Sequence, residues 1–494
     1  MFGYTSLVVI LAIIFLYLWL PHRWRWLWLL AASAIFYISF AQGYIVLLLF
    51  IAGVNYVSAI VVERAQASAR RRLFVLSVAA NLALLAIFKL PGLLEGDLEA
   101  LTRLLGWNYP SLLLTIVLPI GLSFQIFQGI SYLIEVYQGR YQAEKHAGIY
   151  AAYVMFFPVV LAGPIERPQN LLRQFHETHA FDYQRVVNGL RRMAWGFFKK
   201  AVIADRLALS VNVVYGHPRD YPDFMLPIVT VFFAYQIYCD FSGYSDMALG
   251  AAQVMGFKLA ENFNRPYAST SITEFWQRWH MSLSSWIRDY LYMPAARQAI
   301  KITRGKYAGP SRFIISVVTM SLVGLWHGAS LNFLIWGALH GSLLGLEGVF
   351  RARASRWWSM IPLGDRAQAI IKTGLTFTLI CLAWVFFGAR SLEEAFYMLA
   401  HLPGGAWQLI SGSVAVSVLQ QTFLLLQMDR ASFIAVVAAV LLMEATQLGQ
   451  VNNRLWQRVL MAPSWLRWLL YYLLILFTLF YGVFRPSQFI YFQF

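Results

Sequence analysis

The feature that most constrains the fold is a succession of apolar stretches, each long enough to cross a lipid bilayer. A membrane-spanning helix needs about 20 predominantly apolar residues. Such stretches lie at 3–20, 26–41, 44–62, 73–90, 111–137, 224–256, 312–349, 367–388, 413–445 and 466–484, and shorter ones lie at 148–163 and 190–215. The longest stretches have room for two helices each. We therefore predict an all-α polytopic membrane protein with about 10–13 transmembrane helices.

Charged residues make up only 13% of the chain, whereas soluble domains carry about 25%, so the composition supports an integral membrane protein. The first apolar stretch runs into Pro21 and Arg23 without a small-residue cleavage site, which predicts a retained span and not a signal peptide. The two cysteines, Cys239 and Cys381, both sit in apolar surroundings. We therefore predict neither a disulfide framework nor a metal site.

Basic residues in alternate loops predict how the chain is threaded. The first loop carries Arg23 and Arg25 and the third carries arginines between 63 and 72, whereas loops 41–43 and 95–99 carry no basic residue. Because basic loops stay in the cytoplasm, loops one and three are predicted to be cytoplasmic and the N-terminus to lie outside. The net charge of +16 then reflects topology and contact with anionic membrane lipids, and we expect no nucleic-acid partner.

No polar segment is long enough to fold around a core of its own, so we predict one integral membrane domain over 1–494. Within it we expect peripheral N-terminal helices at 1–110, a catalytic core at 111–350 and C-terminal helices at 351–494. Charged and short apolar pieces alternate over 164–206, which favours interfacial or re-entrant helices on the cytoplasmic face.

Residues 275–294, FWQRWHMSLSSWIRDYLYMP, gather polar groups within this apolar chain. Ser271 and Glu274 fit a capping box, so we predict an amphipathic helix that begins there and ends at Pro294. His280 falls at the edge of the apolar stripe of that helix. Two hypotheses remain for it: a boundary residue of an interfacial helix, or an imidazole that faces a ligand at the lip of a cavity.

His327 lies inside the apolar segment SLVGLWHGASLNFLIWGALHG, residues 321–341. An ionisable residue within a span is costly and suggests a functional site, and a neutral imidazole can act as a general base. The alternative is a packed histidine that hydrogen-bonds a neighbouring helix. His340 follows 13 residues later, about 20 Å along a straight helix and rotated by about 140°. The two histidines are expected to share a site only if the helix breaks.

Two further polar inserts interrupt apolar runs. Asp240 and Asp246 lie in YQIYCDFSGYSDMALG, and Asn262, Asn264 and Arg265 lie in ENFNRPYAS. Carboxylates in such surroundings need partners, so either aspartate could orient a histidine or pair with an arginine. The alternative is that these residues form helix caps and turns.

Five motifs occur together in this chain: SITEFWQRWHMSLSSWIRDYLY, GLWHGAS, YQIYCDFSGYSDMALG, ENFNRPY and the terminal FIYFQF. In this combination the sequence resembles the membrane-bound O-acyltransferases. It is most similar to the branch of the alginate O-acetyltransferase membrane subunit, which is related to the teichoic-acid D-alanyl transferase. The likeness covers about residues 115 to 350 and the C-terminus. The resemblance implies a ring of helices, with interfacial and re-entrant pieces, around a central funnel.

The resemblance also implies site residues and a reaction. His327 matches the catalytic histidine of the family and takes the role of base, and His280 matches a supporting histidine near the donor. The family moves an acyl group from a cytoplasmic thioester to a hydroxyl. Acetyl-CoA is the expected donor, as a substrate, and no tightly bound cofactor is expected.

For the alginate branch, the resemblance implies a periplasmic partner acetyltransferase of the SGNH type, a polysaccharide acceptor such as alginate, and the bacterial inner membrane. The loop after RDYLY, which reads MPAARQAIKITRGKY, departs from that branch. Cellulose, another exopolysaccharide, peptidoglycan and teichoic acid therefore remain alternative acceptors. A polysaccharide or lipid-intermediate transporter or flippase is the rival class, but such proteins often contain inverted repeats, and the histidine motifs occur once.

The candidates for binding the donor or the substrate lie in or beside these motifs. They are Arg278, Trp279, Arg288, Asp289, Trp326, Asp240 and Ser330. The arginines could meet phosphates of coenzyme A, or they could be surface topology charges. An oxyanion could be stabilised by the Trp326 indole N–H, by Ser330 or by a backbone N–H near Gly328.

Overall fold

A computed structural model describes residues 4–93, 119–414, 422–423, 425–451, 461–484 and 489–490. These residues form helices joined by turns and loops, and no strand occurs among them. Eight of the described helices are long and apolar enough to cross a membrane. The prediction of an all-α polytopic membrane protein is confirmed.

The N-terminal helices follow the predicted apolar stretches. They are α1 (Tyr4–Trp19), α2 (His22–Ile38), α3 (Ile45–Arg64), α4 (Ala67–Leu93), α5 (Leu122–Tyr137) and α6 (Ala147–Met155). The first part of the predicted stretch at 111–137 lies outside the described residues. A buried aperiodic segment, 156–163, follows α6 in place of further helix.

The basic loops meet at one end of the bundle. Glu63, at the end of α3, accepts a hydrogen bond of 2.8 Å from the backbone N–H of Ala143. In the first loop, Arg25 donates to the backbone oxygen of His179 at 2.8 Å. The loop between α5 and α6 also contacts the 164–206 region, through Glu144 and His176 at 2.7 Å. These basic segments therefore lie at one end of the bundle, as the charge pattern predicts.

Between 164 and 216 a short π-helical turn is followed by one continuous helical run, 183–216, which contains a second π-helical turn. The pieces are a π-helical turn (Pro168–Leu172), α7 (Tyr183–Phe198), a second π-helical turn (Lys199–Ala204) and α8 (Asp205–Gly216). Asp182 caps α7 by accepting a hydrogen bond from the backbone N–H of Arg185 at 2.7 Å. Interfacial or re-entrant helices on the cytoplasmic face stay a prediction for 164–206.

The stretch at 224–256 forms one unbroken helix, α9 (Met225–Met255), of 31 residues. Small residues let α7 pack closely against it. A Cβ added to Gly196 would lie 2.5 Å from the backbone oxygen of Gly243, and one added to Gly250 would lie 2.5 Å from that of Gly189. Close backbone approach through glycines is a common way to join helices within a membrane.

The segment 271–302 is not one helix. It forms α10 (Ile272–Arg278), α11 (Met281–Ile287), a π-helical turn (Arg288–Tyr292) and α12 (Met293–Ile302). Ser271 caps α10 by accepting from the backbone N–H of Glu274 at 3.1 Å, as predicted. The prediction that Pro294 ends the helix is wrong. Pro294 lies in α12, which continues directly from the π-helical turn Arg288–Tyr292, so the helical run 281–302 passes through it.

The stretch at 312–349 forms a hairpin of two helices, α13 (Ala308–His327) and α14 (Leu331–Met360). The remaining described helices are α15 (Asp365–Gly388), α16 (Leu392–Ile410), α17 (Arg430–Val451) and α18 (Ser464–Tyr481). Helix α16 was not among the predicted spans because two glutamates in its first turn and Pro403 in its interior interrupt the apolar pattern.

Candidate active site

A break in the helical chain places His280. Trp279 is extended, and His280 has φ of 43°, in the left-handed region that favours glycine. The loop after α9 holds this break on both sides. The backbone N–H of Asn264 donates to the oxygen of Arg278 at 2.9 Å, and that of Met281 donates to the oxygen of Asn262 at 2.9 Å. The ENFNRPY motif therefore lies along the break.

The side chain of Asn262 fixes the imidazole of His280. Its Oδ1 lies 3.0 Å from His280 Nδ1 and also accepts from the Ser282 hydroxyl at 2.9 Å and the Ser282 backbone N–H at 3.3 Å. Because a backbone N–H can only donate, this atom is the amide oxygen, and Nδ1 of His280 must be its donor. The lone pair of the neutral ring is then on Nε2.

His280 is fully buried, with 0% of its surface exposed. The prediction of a residue on the border between wet and apolar faces is therefore wrong, because the broken chain turns the ring inward. Phe241 packs edge-on against the imidazole at 4.7 Å between ring centres. Burial lowers the pKa of His280 to about 3, so the ring is neutral at physiological pH.

His327 is the last residue of α13 and is also buried, with 7% of its surface exposed. Its ring contacts Trp326, Trp336 and Phe387 at 4.7, 5.3 and 5.5 Å between centres. Its backbone oxygen accepts a hydrogen bond of 2.9 Å from Lys89 Nζ on α4. A histidine at a helix end, enclosed by aromatic rings, is held in one orientation.

The structure brings the two motif histidines together. Phe124 contacts the His280 ring at 6.4 Å and the Trp326 ring at 5.5 Å, and His327 follows Trp326 directly. Next to them, Phe127 stacks between Trp286 and Trp326 at 4.3 and 5.2 Å. His280 and His327 thus belong to one buried site, which joins both motifs.

His327 lies at the far end of its span from the basic α12–α13 loop, which carries Arg304 and Lys306 and follows Lys301 in the last turn of α12. Helix α13 has 20 residues and is therefore about 30 Å long. That length is the thickness of the hydrocarbon core of a bilayer. His327 therefore lies about one bilayer thickness from the basic loop, at the opposite end of its helix.

His340 lies beside this site because the predicted condition is met: the helix breaks after His327. Trp336 contacts the His327 ring at 5.3 Å and the His340 ring at 4.9 Å. His340 Nδ1 accepts a hydrogen bond from the Trp276 indole N–H at 3.3 Å. His340 is therefore separated from His327 by a tryptophan, and it serves packing in this arrangement.

Asp240 and Asp246 are neither caps nor histidine partners, because both lie within α9 and bind cations. Asp240 accepts from Lys200 Nζ at 2.6 Å, and Lys200 also contacts Asp205 at 2.7 Å. Although burial opposes its charge, the two carboxylates raise the pKa of Lys200 above its usual value. Asp246 pairs with Lys199 at 2.6 Å and with Arg192 at 2.9 Å. Pairing with an arginine is one of the roles predicted for this aspartate.

Asp240 also anchors the C-terminal segment. Its Oδ2 accepts a hydrogen bond of 2.8 Å from the backbone N–H of Ile490. The adjacent Phe489 is buried and packs on Phe241 at 5.8 Å between centres. Because Phe241 contacts His280, the described part of the FIYFQF motif forms the layer behind the site.

Three of the remaining candidates lie beside the break at His280 or at the start of α14. Trp279 is buried beneath the break, and Ser330 begins α14 without a side-chain cap. Arg278 is paired with Glu274 on the same helix at 2.5 Å.

The predicted donor-binding residues Arg288 and Asp289 belong to a second, half-buried polar cluster. Asp289 accepts from Arg288 at 2.8 Å and from Arg167 at 2.5 Å. The neighbouring Tyr290 donates to Glu135 at 2.5 Å. Arg278 and Arg288 are therefore both ion-paired within the chain, and meeting a phosphate would require them to share their charge or change partner.

Lys89 and Asn262 are the residues whose roles sequence reasoning underestimated. Lys89 lies inside the predicted apolar stretch at 73–90, and an ionisable group in a span is itself a signal of function. The contact of Asn262 with His280 depends on a helix break that no periodicity predicts.

Comparison with known proteins agrees with this geometry. The model of the membrane-bound O-acyltransferase family, MBOAT, matches residues 141–392. The chain is 37% identical over 386 residues to the probable alginate O-acetylase AlgI of Pseudomonas aeruginosa, which covers 77% of this chain and 70% of that protein. It is 30% identical over 403 residues to the peptidoglycan O-acetyltransferase of Helicobacter pylori, covering 76% and 72%.

A more distant relative is the teichoic acid D-alanyltransferase of Bacillus subtilis, 28% identical over 287 residues, which cover 56% of this chain and 70% of that protein. Both motif histidines lie within the residues that the family model matches. The chain is therefore an O-acyltransferase, and it belongs to the membrane-bound O-acyltransferase family.

Proposed function

We propose that this enzyme transfers an acetyl group from acetyl-CoA to a hydroxyl group on the opposite side of the bacterial inner membrane, with His327 as the general base. The observation that carries the proposal is the position of His327. It is buried beside His280 at the end of α13 that lies farthest from a basic loop. A donor from the basic side and an acceptor from the other side could meet there.

The chemistry needs one proton acceptor and one anion stabiliser. His327 takes the proton of the acceptor hydroxyl as its oxygen attacks the carbonyl carbon of the thioester. The resulting tetrahedral oxyanion collapses, the carbon–sulfur bond breaks, and the coenzyme A thiolate leaves and takes up a proton. The Trp326 indole N–H, which lies next to His327, is our candidate for stabilising the oxyanion.

His280 serves as a supporting group in this proposal. Asn262 holds its Nδ1–H, so Nε2 carries the lone pair that can accept a hydrogen bond. An acceptor nitrogen can bind an N–H or O–H group but not the thioester itself, which has no donor hydrogen. We therefore assign His280 to orienting the donor, by accepting a hydrogen bond from an amide N–H of the coenzyme A arm.

The acceptor is proposed from the relatives. Their names specify alginate, peptidoglycan and teichoic acid, all of which are polymers. We propose a polysaccharide acceptor, with alginate first because the alginate O-acetylase of Pseudomonas aeruginosa is 37% identical to the chain and the peptidoglycan O-acetyltransferase of Helicobacter pylori 30%, and an SGNH-type periplasmic protein as the partner that completes transfer. The hydroxyl that His327 activates then belongs either to the polymer or to that partner.

The test uses purified full-length protein in detergent with labelled acetyl-CoA and alginate oligosaccharides. Release of coenzyme A thiol and labelling of the oligosaccharide are measured for wild type and for His327→Ala. His401→Ala is the matched control, because His401 lies on α16 and bonds the Tyr397 carbonyl at 2.8 Å. We expect thiol release by the wild type and the control, and none by His327→Ala in folded protein.

Two results would contradict the proposal. Full thiol release by His327→Ala would remove His327 as the base. Movement of glycan across proteoliposomes by wild-type protein without any thiol release would instead support the transporter class.

A further inference from the structure

We propose that Lys89 is a positioning residue for His327: its ammonium group holds the end of α13 so that the imidazole faces the reacting groups. The inference rests on the proposed role of His327 as base. It concerns a residue outside the part of the chain that the family model matches, 141–392. The proposal is based on the hydrogen bond of 2.9 Å from Lys89 Nζ to the backbone oxygen of His327.

Lys89 lies at the end of an apolar span. The window from Ala67 to Lys89 in α4 is apolar enough to span a membrane and is mostly exposed on the surface of the protein. A lysine at the end of a span normally extends its ammonium group to the membrane–water interface. The half-buried side chain of Lys89 turns inward instead and reaches a helix end 238 residues away in sequence.

Lys89 and His327 lie at a similar distance from the basic loops along their helices. Lys89 lies 22 residues after Ala67, about 33 Å along α4. His327 ends a helix of about 30 Å that also starts on the basic side. Both groups are therefore near the side of the membrane opposite the basic loops, where the proposal places the acceptor.

The end of α13 is a position where a cation acts directly. The last carbonyl groups of a helix lack intrahelical donors, and the helix dipole makes this end negative. Immediately after His327, Gly328 is extended, so the helical ladder stops at the histidine itself. An ammonium group on that carbonyl fixes the backbone from which the imidazole projects.

Helix α4 also has a second polar anchor, which provides a control. Asn81 and Asn55 exchange side-chain hydrogen bonds of 3.1 and 2.7 Å and join α4 to α3. This pair is buried and lies two turns before Lys89. Loss of the pair should weaken the packing of α4 without altering the carbonyl of His327.

The experiment measures kcat and KM for thiol release, together with thermal unfolding, in Lys89→Met, Lys89→Arg and Asn81→Leu. Loss of a group that orients a catalytic ligand typically costs about 10–100-fold. We expect Lys89→Met to lower kcat by that factor with KM for acetyl-CoA unchanged, because the donor still binds. Lys89→Arg, which can still donate to the carbonyl, should recover most of kcat.

Asn81→Leu should lower the unfolding temperature and leave kcat within about twofold, since α4 only loses packing. Wild-type kcat in Lys89→Met, or equal losses of kcat and unfolding temperature in Lys89→Met and Asn81→Leu, would overturn the inference about Lys89. These results leave the proposed function intact if His327→Ala is inactive. Retained activity in His327→Ala would overturn both.

Discussion

Asn262 Oδ1 accepts a hydrogen bond from His280 Nδ1 at 3.0 Å, and this contact connects the loop after α9 with the break between α10 and α11. Two motifs that are separate in the sequence thereby form one structural unit. The imidazole cannot rotate without breaking the bond. Asn262 is therefore as much a part of the histidine site as the ring itself.

Substitution of Asn262 by leucine should impair both stability and transfer. The change removes one acceptor and leaves three buried donors, one on His280 and two on Ser282, without it. Each such loss costs about 1–3 kcal/mol. We expect a lower unfolding temperature and a fall of at least about tenfold in kcat/KM for thiol release. Asn264→Ala is the control, because the Asn264 side chain is exposed and only its backbone N–H bonds the oxygen of Arg278. An equal loss of stability and activity in Asn264→Ala would refute the role of Asn262.

Gly324 sets the distance between α13 and α14 just before His327. A Cβ at this position would lie 2.0 Å from the backbone oxygen of Phe333, so Gly324→Ala must push the two helices apart. Overpacking of this kind costs about 1–3 kcal/mol. We expect a lower unfolding temperature and reduced thiol release. Gly348→Ala on α14 meets nothing within 4 Å and should equal or exceed wild-type stability, so similar losses in both variants would contradict the explanation.

The buried ion pair between Asp240 and Lys200 should contribute strongly to the stability of the folded protein. Asp240→Leu leaves Lys200 with Asp205 alone and also removes the acceptor for Ile490. Breaking one side of a buried pair typically costs about 3–5 kcal/mol. We expect a large decrease in unfolding temperature, measured by tryptophan fluorescence in detergent, and a smaller one for Asp240→Asn, which keeps an oxygen for the backbone N–H. Equal stability of Asp240→Leu and wild type would contradict this view.

Glu166 should make stability depend on pH. Burial raises the pKa of Glu166 to about 7, although Ala260 and Asn170 donate hydrogen bonds to its carboxyl group. The folded state therefore holds the proton more tightly than the unfolded chain. The stabilisation is complete below about pH 4.5 and is lost as the pH rises through about 7.

The measurement for Glu166 is the unfolding temperature of Glu166→Gln and wild type from about pH 5 to 8. We expect the wild type to lose stability relative to the glutamine variant over this range, because glutamine cannot ionise. Glu177→Gln, an exposed position that pairs with Arg173, should follow the wild type. Parallel curves for wild type and Glu166→Gln would show that the carboxyl group does not titrate in this range.

The sequence predicted the helical membrane fold well because length and hydropathy are local properties. The spans at 44–62, 367–388 and 466–484 match α3, α15 and α18 to within a few residues. The cap at Ser271 was found for the same reason, since a capping box is written in four consecutive residues. The grouping of His280 with His327 came from the motifs.

What could not be predicted depends on contacts between distant segments. The break at His280 opposes the helical period of 275–294 and exists because the loop at 261–269 bonds to its backbone. The partner of Asp240 is a lysine in a π-helical turn, and no spacing rule links positions 200 and 240. Lys89 reaches His327 across 238 residues of sequence, so its role appears only when α4 lies beside the end of α13.

The left-handed backbone at His280 has a practical consequence for chemical biology. An L-residue in that region carries strain of about 1–2 kcal/mol, which glycine would relieve. His280→Gly should therefore leave a ring-shaped vacancy in a backbone that is already suited to the substitution. Small diffusible heterocycles, such as free imidazole or triazole, become tools to refill the vacancy and to restore or tune turnover from outside the chain.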